Sequence, residues 1–159
     1  CTYTYTSSPA ANSDGCNYIY GWNAAADSFE TAVNAYQSLT YADPAATAAS
    51  ATWWLDVEIA NSWQTDTSRN VWALRGAVAF LESAGVNARD IGFYSTASMW
   101  QTITGGDTLT FKANVNWVPG AVTKRAAQRN CAGSGFTGGT IVLTQYQSGG
   151  YDADYQCTV

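Results

Sequence analysis

Asp56 and Glu58 are the residues best placed to do chemistry. They lie in "TWWLDVEIANSW" (52–63), a run otherwise apolar and aromatic. If this run is a strand, residues two apart face the same side. Trp54, Asp56 and Glu58 then share one face, while Trp53, Leu55, Val57 and Ile59 form a wholly apolar opposite face. Carboxylates spaced in this way have Cα atoms about 6.5–7 Å apart, and their side chains can converge to roughly 5–6 Å, close to the spacing of a retaining glycosidase pair. Two like charges at that range do not ionise equally. One is left as a proton donor and the other as an anion, as acid-catalysed glycoside cleavage requires. A buried carboxylate needs a partner or a wet cleft. The structural alternative is therefore pairing with Arg69, Arg75 or Arg125, or capping of a neighbouring loop. At the end of the run, "ANSW" offers polar groups and Trp63.

Periodicity places these acids among α/β elements. Residues 1–15 read as a loop, and "CNYIYGWN" (16–23) as a short β-rich run. A helix follows, with Phe29, Val33, Tyr36 and Leu39 on one stripe, and "YADPAATAAS" reads as a loop. Thr65, Asp66 and Thr67 are capping residues for a second helix. That helix has Val71, Leu74, Val78 and Leu81 on its apolar stripe and stops at Gly85. "DIGFYST" is a strand, and "ASMWQTITGG" a short helix ended by Gly105-Gly106. "FKANVNWVPGA" holds a strand stopped by Pro119, and "VTKRAAQRNC" is a short basic helix. "GGTIVLTQYQ" is a strand, and "GGYDADYQC" closes the chain. Strands alternating with helices at this spacing predict βαβ units and a mostly parallel sheet, either barrel or open, with function at the C-terminal ends of the strands.

Composition limits the function classes. The chain has 159 residues, enough for one domain over 1–159, with 1–15 as a disulfide-tethered loop. It contains no His, which excludes a Ser-His-Asp triad and His-ligated metal. Net charge is −5, and no basic run points to nucleic acid or an anionic membrane. Charged residues are only 12%, so Ser, Thr, Asn, Gln and Gly must supply most of the polar surface. Cys1, Cys16, Cys131 and Cys157 fit neither redox nor zinc spacings. Of the three connectivities, the sequence-local one, Cys1–Cys16 with Cys131–Cys157, is preferred, and it implies an oxidising, extracellular setting. No signal peptide, membrane-length apolar run or N-x-S/T sequon occurs, so the expectation is a mature, soluble chain. Seven Trp and ten Tyr favour sugar binding, although many of these rings must serve as packing.

Taken in order, "WWLDVEIANSW", "IGFYSTASMWQTITGG", "NWVPGA" and "IVLTQYQSGGYDADYQC" resemble the family 25 glycoside hydrolases, and among them a divergent secreted bacterial branch. The similarity runs from about Cys16 to Cys157. It implies a secreted, lysozyme-like N-acetylmuramidase on a TIM-barrel-derived (β/α) fold, acting on peptidoglycan or a related polysaccharide without metal or organic cofactor. By position, Glu58 matches the family's general acid/base and Asp56 its strand partner, which stabilises positive charge or orients the substrate acetamido group. Asp152 falls at the family's late acid, with Asp154 two positions on. Trp54, Trp63, Tyr94, Gln145 and Tyr146 are the implied substrate-binding residues. A turn held by Cys157 is the plain account of Asp152 and Asp154. The family's first strand, with its own acid, and its second βα unit have no counterpart here, so about six of the eight barrel strands are expected. Three accounts stand open: a missing N-terminal segment, an unusually packed start, or an open sheet without the chemistry. The functional alternative is a non-catalytic glycan- or cell-wall-binding, or extracellular structural, module on the same fold.

Overall fold

Where a loop and a short strand are expected, the chain forms one long helix. The computed structural model describes residues 13–158, which divide into two compact units. The first runs to Thr52 and resumes over Gln64–Ala88. Its helices are α1 (Asp14–Ser38), α2 (Pro44–Ala49) and α3 (Thr67–Ser83). The Ser13 hydroxyl caps α1 by accepting from the Cys16 N–H at 3.1 Å, and Asp14 sits in the first turn, where the helix dipole favours an anion. The aromatic residues of "CNYIYGWN" look β-like. Tyr18 and Trp22 fall instead on a helical stripe with Ala25 and Phe29, at i, i+4, i+7 and i+11. The stretch "YADPAATAAS" also turns helical. Asp43 accepts from the Ala46 N–H at 2.9 Å, and Pro44 takes the first position, where no backbone donor is needed.

Helices α1 and α3 meet backbone to backbone. A Cβ on Gly21 would lie 1.7 Å from the Ala73 carbonyl oxygen, and one on Gly76 would lie 1.9 Å from that of Tyr18. Around this contact Trp22 and Phe29 pack edge-on against Phe80, at 5.4 and 5.9 Å between centroids. Asp66 caps α3, and Gly85, at φ 92°, follows its end as the sequence predicts.

The second unit comprises Trp53–Trp63 and the chain from Arg89 onward. Its strands are β1 (Trp53–Asp56), β2 (Ile91–Tyr94), β3 (Val115–Ala121), β4 (Ile141–Ser148) and β5 (Tyr151–Gln156). Helix α4 (Ala97–Thr104) follows β2, and α5 (Lys124–Asn130) follows β3. The sheet order is β1-β2-β3-β4-β5. The first four strands are parallel and β5 returns antiparallel beside β4, giving a curled, half-barrel sheet. This agrees with the mixed α/β, mostly parallel architecture expected. The described residues form five strands rather than about six, because 16–23 is helical.

Two strand boundaries also differ from expectation. β3 runs through Pro119, because the ladder to β4 shifts register between Val118 and Ala121, where a residue without an N–H costs no bond. β1 ends at Asp56, so Val57 keeps one ladder bond to the Tyr94 carbonyl at 2.9 Å and is buried, whereas Ile59 is exposed.

One face of the sheet carries the core. Phe93, Trp100 and Phe111 are buried in mutual edge-on contact, and Thr144 donates to the Ala127 carbonyl of α5 at 3.0 Å. The expected Cys131–Cys157 disulfide is present and ties the end of α5 to the end of β5. The Cys1–Cys16 pairing involves Cys1, which lies outside the described residues. Replacing Cys131 and Cys157 together by Ala should lower stability by about 3 kcal/mol, given the loop length closed, and urea unfolding with and without reductant checks this.

Candidate active site

The face turned away from α4 and α5 collects the chemistry-bearing residues. Register places Asp56 beside Tyr94 and Tyr94 beside Trp117. Across the antiparallel pair, Gln145 opposes Asp154 and Gln147 opposes Asp152. Alternation brings Trp54, Asp56, Tyr94, Trp117, Gln145, Gln147, Asp152 and Asp154 to this one side. Gly92 makes room for Trp54, since a Cβ there would lie 2.3 Å from Cζ3 of that ring. Trp54 and Tyr94 then pack edge-on against Trp117, at 5.5 and 4.8 Å.

Three of the four carboxylates are held by neutral donors. Asp56 accepts from Asn61 Nδ2, which reaches its carbonyl at 3.1 Å and Oδ2 at 3.4 Å. Trp117 Nε1 donates to Asp154 Oδ1 at 2.8 Å, and Gln147 Nε2 donates to Asp152. Glu58 differs. Its backbone carbonyl accepts from Trp63 Nε1 at 2.7 Å and from the Asn61 N–H at 3.1 Å, yet its half-buried carboxylate receives no hydrogen bond among the described residues. Two of the arginines weighed in the structural alternative have contacts elsewhere. Arg69 binds Asp14 and Asp66, and Arg75 lies over Trp72 at 4.6 Å.

Tyr94 registers the negative charge of this face. Its phenol donates to Gln145 Oε1 at 3.0 Å. Burial raises its pKa above the ordinary tyrosine value, and the charges of Glu58, Asp152, Asp56 and Asp154 raise it further. An unfolded chain therefore releases this proton first. The stability Tyr94 contributes is complete below about pH 10 and is lost as pH rises through the raised folded value. Phenolate absorbance during an alkaline titration should show a late-ionising tyrosine, and Tyr94→Phe should remove that step.

Of the residues implied by resemblance, Asp56, Trp54, Tyr94, Gln145, Asp152 and Asp154 are brought to this side of the sheet, and Glu58, just past the end of β1, lies near enough for its charge to act on Tyr94. Tyr146 is adjacent in sequence to Gln145 but alternates to the opposite face with Thr144. Trp63 spends its indole N–H on the Glu58 carbonyl. Trp117, Gln147 and Asn61 join the site without having been singled out from the sequence. The alternation Val115, Trp117 in "NVNW" is the signal that could have shown the first.

A family model described as "Lysozyme-like protein 1" matches residues 8–120. That span holds Asp56, Glu58, Tyr94 and Trp117, while β4 and β5 lie beyond it. Over 55 residues the chain is 42% identical to "Probable GH family 25 lysozyme 4" of Dictyostelium discoideum, a stretch covering 35% of this chain and 24% of that protein. The chain thus matches about a quarter of that relative's length. No solved structure matches the chain at a significant level. The family model spans more than half of the sequence, including both Asp56 and Glu58, and the chain belongs to the lysozyme-like protein 1 family as a relative of the family 25 lysozymes.

Proposed function

We propose that this protein is a secreted lysozyme-like glycoside hydrolase that cleaves β-1,4 bonds in peptidoglycan or a closely related polysaccharide. The observation that carries this reading is Glu58. Among the described residues it alone of the four clustered acids has no donor on its carboxylate, which suits a group whose oxygens meet a substrate. In the proposed cycle Glu58 gives its proton to the glycosidic oxygen as the bond to the anomeric carbon breaks. It then takes a proton from the water that attacks that carbon. Asp56, which accepts from Asn61 Nδ2, stabilises the positive charge that develops on the ring or orients the acetamido group. Half-buried Trp54, Tyr94 and Trp117 offer ring surface beside these acids. The Cys131–Cys157 disulfide and the sparse charge support an extracellular setting.

The bonds already made by Asp56, Asp152 and Asp154 favour a second reading, a non-catalytic glycan- or cell-wall-binding module. One incubation separates the two. Reducing ends released from purified cell wall in proportion to protein and time support the hydrolase. Saturable binding without release over long incubation selects the binding module.

A further inference from the structure

We propose that Trp63 and Asn61 are positioning residues that hold Glu58 and Asp56 in their working geometry. The proposal rests on the acid/base reading of Glu58. β1 ends at Asp56, so the ladder that would fix a strand residue is gone at Glu58. Upstream, the Val57 peptide is pinned by its N–H to the Tyr94 carbonyl at 2.9 Å and by buried Ser95 Oγ donating to its carbonyl at 2.7 Å. Downstream, the chain turns back on itself. The Trp63 indole and the Asn61 N–H both end on the Glu58 carbonyl, and the Asn61 amide returns to Asp56. Glu58 therefore has a backbone held on both sides and a carboxylate that receives no hydrogen bond among the described residues. That arrangement suits a group whose carboxylate must reach a substrate oxygen with little positional freedom.

The geometry also assigns Trp63 a different role from a sugar platform. An indole whose N–H is committed to a loop carbonyl acts through that carbonyl. Losing the donor while keeping an aromatic ring should let Glu58 wander and leave substrate affinity in place. In the full chain acting on purified cell wall, Trp63→Phe is expected to lower kcat by about ten- to a hundredfold with KM within about twofold. Asn61→Ser, which removes the amide donor to Asp56, should show the same split and carries the test if Trp63→Phe fails to fold. Hydrogen exchange gives a readout independent of turnover, with the Trp63 indole proton and the Asn61 amide proton expected to be protected in the unaltered protein.

Several results would overturn the proposal. One is a rise in KM at unchanged kcat for Trp63→Phe, which would make the ring a platform. Another is exchange at Trp63 as fast as at an exposed indole. Unchanged kcat in both variants, alongside an inactive Glu58→Gln, would remove the positioning role while leaving the hydrolase reading intact. No difference between the unaltered protein and Glu58→Gln would remove both.

Discussion

Glu58→Gln is expected to cut the release of reducing ends from cell wall by about a hundredfold or more, with the fold unchanged. Glutamine has nearly the same size and shape but can neither deliver a proton to a leaving oxygen nor take one from water. The fold should tolerate the exchange because the Glu58 carboxylate accepts no hydrogen bond among the described residues, while the anchors of Trp63 and Asn61 go to the main-chain carbonyl. Stability should stay within about 0.5 kcal/mol, as for a surface substitution away from any structural network. The same variant makes an electrostatic prediction. Glu58 is the first of the charges that raise Tyr94, so its neutralisation should move the phenol back toward the ordinary tyrosine value. Equal rates for the two proteins would remove Glu58 from catalysis. A phenol that titrates identically in both would show that the carboxylate and Tyr94 do not share one space.

The largest effect on stability is expected in the first unit, at Gly21→Leu. Its Cβ alone would lie 1.7 Å from the Ala73 carbonyl oxygen, a backbone atom that cannot swing aside as a side chain can. Helices α1 and α3 must separate, exposing the packing of Trp22 and Phe29 on Phe80. Loss of about 4 kcal/mol or more is expected, at the upper end of overpacking and near the full stability of a small unit. Gly15→Ala supplies the control. It lies in the same helix, and a Cβ there meets nothing within 4 Å. That change should stabilise by about 0.5–1 kcal/mol through helix propensity alone. Urea unfolding of the two variants beside the unaltered protein checks both. Wild-type stability in Gly21→Leu would mean that the helices do not pack this closely.

Some parts of this protein were readable from local chemistry. The cap of α3, the left-handed glycines after α3 and α4, the strands "IGFY" and "IVLTQYQ", and the Cys131–Cys157 pair each follow from neighbours in the chain. The two acids of "DVE" were also visible, because carboxylates are conspicuous in an apolar strand. Other parts required the partners. Aromatic residues 18–22 suit a strand or a helix equally, and the backbone contact with α3 at Gly21 goes with the helix. Pro119 continues β3 only because the β4 ladder slips beside it. Gln145 and Tyr146 are neighbours in sequence and sit on opposite faces, because α5 covers the side that Thr144 occupies.

Glu58 shows the division most clearly. Alternation along a strand predicts its direction only while the strand lasts, and β1 lasts to Asp56. Beyond that point, hydrogen bonds from Asn61 and Trp63 set the backbone path. The sequence by itself determined which groups could do chemistry and roughly where they lie along the chain, because residue type and periodicity are local. Only the tertiary structure decided which of them meet and which acid receives no hydrogen bond among the described residues. Strand ends, register and loop closure depend on hydrogen-bond partners that are distant in sequence.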